Sequence, residues 1–71
     1  MLGDIRVRFG QRLRKLRLER SLTQVEFAEK LGIDRSYLTD IERGNRNVSL
    51  INIDILAKGL GLSLAQLFKN L

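Results

Sequence analysis

Thr23-Gln24-Val25-Glu26-Phe27-Ala28-Glu29-Lys30-Leu31-Gly32-Ile33-Asp34-Arg35-Ser36-Tyr37-Leu38-Thr39-Asp40-Ile41-Glu42-Arg43-Gly44 is the stretch whose reading decides the fold. Its apolar spacing predicts two short helices and a sharp turn. Phe27, Ala28 and Leu31 share one side of the first helix, Leu38 and Ile41 share one side of the second, and Ile33 sits between them. Small residues stand where such a pair needs them: Ala28 removes bulk at a steep helix crossing, and Gly32 accepts the positive φ of the turn. Local signals agree, with Thr23 and Glu26 spaced as a capping box, Asp34 as the second N-cap and Gly44 as a terminator.

At about 100° per residue, the second helix turns Leu38, Ile41 and Asp34 inward and Ser36, Thr39 and Arg43 outward, with Asp40 and Arg35 on one flank. A polar outer face is common to surface helices of every kind. The tight two-helix unit beneath it is what points to the major groove of DNA.

Upstream, Ile5, Phe9, Leu13 and Leu16 form one helical stripe, predicting a first helix from about Asp4 to Arg20 that Gly10 weakens slightly. Downstream, the polar Asn45-Arg46-Asn47-Val48 reads as a loop, and Ser49 caps a helix from Leu50 to about Gly59. Ile51-Asn52-Ile53-Asp54-Ile55 alternates like a strand, but no second strand is available to pair with it, and Ile53, Leu56, Ala57 and Leu60 also fit a helix. As a helix it is apolar on two faces. Ile51 and Ile55 lie opposite the core stripe and call for a partner, most simply a second copy of the chain. A fifth helix follows Ser63, with Gln66 completing a capping box and Leu64, Leu67, Phe68 and Leu71 forming its apolar face, divided between core and dimer. The expectation is an all-α, five-helix single domain over residues 1–71, with dimerisation helices near 50–71.

A chain of 71 residues buries only roughly 60% of the surface its unfolded form exposes, so self-association is an expected supplement to its stability. With no Cys and no His, disulfides, the usual zinc ligands and thiol or imidazole catalysis are removed. The eight carboxylates and one Tyr form no paired catalytic constellation, so no enzyme activity, metal or cofactor is expected. The amino-terminal Met1-Leu2-Gly3-Asp4-Ile5-Arg6-Val7-Arg8 is too charged for a secretory leader, and no apolar run reaches membrane-spanning length; a cytoplasmic setting is expected.

The formal net charge of +5 lies wholly in the first twenty residues, where Arg6, Arg8, Arg12, Arg14, Lys15, Arg17 and Arg20 face only Asp4 and Glu19. Such a helix favours encounter with a polyanion, nucleic acid above all, with a solvated, solubilising face as the plain alternative. An anionic membrane surface fits less well, because the helix lacks Trp and its apolar stripe is needed for the core.

Leu22-Thr23-Gln24, Phe27-Ala28, Leu31-Gly32-Ile33, Leu38, Ile41-Glu42-Arg43-Gly44, Leu56-Ala57 and Leu60-Gly61-Leu62 together resemble the Cro/C1-type, phage-repressor-like helix-turn-helix family. Glu42 through Leu50, followed by Asn52-Ile53, resembles more narrowly the small controller proteins of restriction-modification systems. The resemblance implies a lambda-repressor-like fold and a homodimer on a pseudo-palindromic operator, regulating its own gene and that of an endonuclease, with RNA polymerase as a further partner. An antitoxin that binds a toxic enzyme and represses its own operon is the alternative. Carried over by position, the resemblance makes Arg35, Ser36 and Thr39 base readers and Gln24 a phosphate contact. The Tyr37 hydroxyl is expected at a phosphate, with packing of its ring against the first helix as the equal alternative, and Arg43, Arg46 and Asn47 are expected along the backbone or near the operator centre. Arg17 and Glu42 become a structural ion pair, and Asp40 is expected to orient Arg43 or Arg35. Ile51, Ile55, Leu67 and Leu71 are the expected dimer contacts.

Overall fold

The computed structural model describes residues 3–71; Met1 and Leu2, part of the stretch read for targeting, lie outside them. Those residues form five helices: α1 (Ile5–Glu19), α2 (Gln24–Leu31), α3 (Arg35–Glu42), α4 (Leu50–Leu60) and α5 (Leu64–Leu67). Each begins on a side chain that accepts a hydrogen bond from an otherwise unpaired main-chain N–H: Asp4, Thr23, Asp34, Ser49 and Ser63. At Thr23 and Ser63 the bond is reciprocal, with Glu26 and Gln66 closing capping boxes. Hydrogen bonding from Thr23 holds the Glu26 carboxyl below its ordinary pKa.

The turn between α2 and α3 depends on Gly32. Its φ of 70° lies in the left-handed region, and from there the Ile33 N–H reaches back to the Ala28 carbonyl at 3.1 Å, closing the helix end as a Schellman turn. Ile51-Asn52-Ile53-Asp54-Ile55 is helical, and α5 is a single turn.

Phe9, Leu13, Leu16, Phe27, Ala28, Leu38, Ile41, Leu56, Ala57, Leu60 and Leu67 make one core, with Leu31 and Ile33 packed at its margin. Two sequence expectations are corrected. Ile5 leaves the predicted stripe and is 51% exposed, because α1 overhangs the core by its first turn. Asp34 does not turn inward; it precedes the helix as an exposed cap, where helical angles no longer apply.

α1 lies against α3, and Gly10 is the reason it can. A Cβ at this position would meet the main-chain oxygen of Ile41 and that of Glu42, the latter at 2.6 Å. The residue read as a weakness in a helix is the contact that lets two backbones touch.

A candidate nucleic-acid interface on the third helix

The α3 side chains were expected to divide into a buried and an outward set, and they do. Leu38 and Ile41 anchor the helix in the core, while Arg35, Ser36 and Arg43 are exposed and Thr39 and Asp40 half-buried. These last five line one shallow, open concavity. Core packing fixes the helix axis, so the outer face is presented on a rigid support.

Beneath it lies a polar chain. Arg17 and Glu42 form a bidentate pair, Nε to Oε2 at 2.7 Å and Nη2 to Oε1 at 3.0 Å, both side chains buried. Nη1 of Arg17 also donates to the Leu22 carbonyl at 2.7 Å, and the hydrogen bond to Glu42 raises the arginine pKa above its already high ordinary value. Glu42 Oε1 accepts in addition from Gln24 Nε2 at 3.2 Å, and Gln24 Oε1 accepts from the Thr39 hydroxyl at 3.2 Å. The chain therefore runs Arg17, Glu42, Gln24, Thr39, from the α1–α3 seam out to the concavity. No buried side-chain polar atom among the described residues lacks a partner.

A second constellation lies at the rim. Arg46 meets Asp40 Oδ2 through Nη2 at 3.2 Å and Nε at 3.3 Å. Its guanidinium also stacks 5.4 Å from the centre of the Tyr37 ring. The Tyr37 hydroxyl accepts from Asn52 Nδ2 of α4 at 2.9 Å. Asp40 was expected to orient Arg43 or Arg35 and instead holds Arg46, because the loop after α3 folds back over that helix. Asn47 is exposed in the same loop. The role of Asn52 was missed in the sequence, where a polar residue within an apolar helix carries no sign of its partner.

Most of the basic charge of α1 has another use. Arg8 donates to the Leu71 main-chain oxygen at 2.8 Å, Arg12 to those of Gln66 and Leu67 at 2.8 and 3.2 Å, and Arg20 to that of Leu60 at 3.2 Å. Helix C-termini expose unpaired carbonyls with partial negative charge; Arg12 and Arg20 cover them at the ends of α5 and α4, and Arg8 ties down the segment that follows α5. The expectation of a polyanion-facing first helix is thereby narrowed to exposed Arg14 and Lys15, while Arg6 pairs with its own cap Asp4 at 2.9 Å.

Of the expected dimer contacts, Ile51 is 75% exposed, Ile55 half-buried and Leu71 partly buried. Leu67 is corrected: it is fully buried in the protomer core, so it has no surface left for a second copy. Leu50, the first residue of α4 and absent from the expected contacts, is 83% exposed beside Ile51. No helix among the described residues is long and apolar enough to cross a membrane, and no acidic cluster among them is arranged to hold a metal ion.

Similarity to known proteins follows the same geometry. The helix-turn-helix family profile matches residues 13–67, from the middle of α1 to the end of α5. The chain is 45% identical over 71 residues to control protein C.MunI of a Mycoplasma species, spanning 99% of this chain and 96% of the other. The crystal structure of the restriction-modification controller protein C.AhdI from Aeromonas hydrophila superposes with a TM-score of 0.85 at 51% identity, covering 89% of this chain and 96% of that one. The controller protein C.Esp1396I, solved as a tetramer in complex with its natural 35 base-pair operator, superposes with a TM-score of 0.86 at 31% identity over 94% of this chain and 88% of its own. Fold, two-helix unit and extent of match agree: this chain belongs to the Cro/C1-type helix-turn-helix family, and its near relatives include restriction-modification controller proteins.

Proposed function

We propose that this chain is a dimeric, sequence-specific DNA-binding regulator of transcription, of the restriction-modification controller kind. One α3 per subunit enters successive major grooves of a pseudo-palindromic operator, with half-sites about one helical turn apart. The observation that carries this reading is the outward face of α3, where Arg35, Ser36, Thr39 and Arg43 share one concavity on a rigid core. Arg35 suits guanine, whose O6 and N7 a guanidinium fork can take together. Ser36 and Thr39 add shorter hydrogen-bonding groups. Gln24, Tyr37, Arg43, Arg46 and Asn47 surround the face and serve as phosphate contacts, which set register without reading sequence.

The dimer is proposed to form on Leu50, Ile51 and Ile55, with Leu71 at its edge. Leu50 and Ile51, at 83% and 75% exposure, are adjacent apolar side chains that water contact disfavours. Residues 1–71 act as one unit in this scheme, in the cytoplasm, with DNA and a second copy as partners and RNA polymerase engaged at the promoter. The operator governs the chain's own gene and an endonuclease gene. Non-enzymatic action accords with relatives that are regulators.

Random-oligonucleotide selection with the purified protein is the test. One symmetric motif is expected, and Arg35→Ala should cost about 1–3 kcal/mol with loss of preference at one base pair. Absence of preference among duplexes at physiological ionic strength rejects the reading. Ile51→Asp with Ile55→Asp should give folded monomers by sedimentation; a persisting dimer would place the interface elsewhere.

A further inference from the structure

The polar chain beneath α3 has a direction, and the direction reaches the reading face. It begins at Glu42, whose carboxylate is paired with Arg17 and has only acceptors to offer. Whatever approaches Glu42 Oε1 must donate, so the Gln24 side chain turns its NH2 group there, at 3.2 Å. That fixes the amide: its oxygen must point the other way, toward Thr39. An amide oxygen can only accept, so the Thr39 hydroxyl donates its one proton to Gln24 Oε1, also at 3.2 Å. Only lone pairs remain on Thr39 Oγ1 for anything in the concavity it lines.

From this we infer that Thr39 is a one-way reader, accepting a hydrogen bond from an exocyclic amino group in the major groove, N6 of adenine or N4 of cytosine. It would discriminate against O4 of thymine and O6 of guanine, which are acceptors and would face its lone pairs. Gln24 is a positioning residue in this scheme, because it transmits the polarity of a buried ion pair to a hydroxyl that would otherwise rotate to suit either kind of base. The inference rests on the DNA-binding reading above and adds the chemistry of one contact to it.

The test uses the motif recovered by selection with the unaltered protein, and repeats the selection with Thr39→Val and Gln24→Ala. Thr39→Val keeps the side-chain shape and removes the hydroxyl; it should lose preference at one base pair of each half-site. At that position, purine in place of adenine, or 2-pyrimidinone in place of cytosine, should weaken binding by the unaltered protein roughly five- to ten-fold and leave Thr39→Val unaffected. Gln24→Ala frees the hydroxyl to turn, so the same position should come to tolerate thymine or guanine, an outcome that loss of a phosphate contact alone does not produce. Far-ultraviolet circular dichroism and thermal unfolding verify that both variants are folded. Undiminished binding when the exocyclic amino group of the pair sensitive to Thr39 is removed, or no position sensitive to Thr39, overturns the inference while leaving sequence-specific binding intact. If the unaltered protein selects no motif, the DNA-binding reading itself fails.

Discussion

Two arginine–carboxylate pairs end on α3, and they differ in nearly every physical respect. The Arg17–Glu42 pair is bidentate, with side-chain exposures of 6% and 3%, whereas the Arg46–Asp40 pair meets at one oxygen with exposures of 51% and 34%. Desolvation makes the inner pair costly to leave half-formed, and Leu22 and Gln24 satisfy what the two ions do not satisfy in each other. Solvent screens the outer pair, so it adds little to stability and is easily exchanged for another partner. The inner pair therefore belongs to architecture, and the outer pair is the one free to serve the proposed binding. A guanidinium on the rim that trades a carboxylate for a phosphate is an adaptable contact; one sealed at the α1–α3 seam is not.

The sharpest way to break this contrast is at Glu42. Glu42→Ala strands the Arg17 charge and should destabilise the fold by about 3–5 kcal/mol in chemical unfolding. It should also release Gln24, so base preference should degrade in whatever fraction remains folded. A loss below about 1 kcal/mol would mean that the seam is wetter than its burial indicates.

At the outer pair, Asp40→Asn should change stability by less than about 1 kcal/mol. Its effect belongs to binding: with Arg46 released from the carboxylate, affinity for a shuffled duplex should rise and its salt dependence steepen by about one phosphate contact. An unchanged salt slope, measured by fluorescence anisotropy, would show that the pairing does not compete with DNA.

The smallest effect is at the amino end of α1, where hydrogen bonds from Arg6 hold the exposed Asp4 carboxyl at about 2, below its ordinary 3.8. A depressed carboxyl contributes stability above its unfolded pKa and loses it as pH falls through the folded value. The difference in melting temperature between the unaltered protein and Asp4→Asn should thus be present at pH 5 and fade toward pH 2. A difference that stays constant across this range would assign the role of Asp4 to packing or to helix propensity alone.

The two-helix unit was legible in the sequence because its determinants are local. Capping boxes, a positive-φ glycine and apolar spacing all act within one or two turns: Thr23, Gly32, Phe27 and Leu38 play the parts their spacing assigned, and Asp34 caps α3 although it does not turn inward. Resemblance to a family added the inner ion pair, which no spacing rule connects across 25 residues. The charge of α1 was less legible. Composition counts arginines, but only the folded chain shows that carbonyls at the ends of α4 and α5 come within their reach.

The sequence by itself determined the five helices, where each starts, and which face of α3 is polar, since these depend on backbone preference and on side chains within a few residues. Tertiary structure alone decided that Gly10 is a contact between backbones, that Leu67 belongs to the core and Leu50 to the surface, and that Asp40 holds Arg46. It also decided which way the proton of Thr39 points. Each of these depends on which groups from distant parts of the chain come within a few ångströms, and hydrogen bonds and close packing act only at that range.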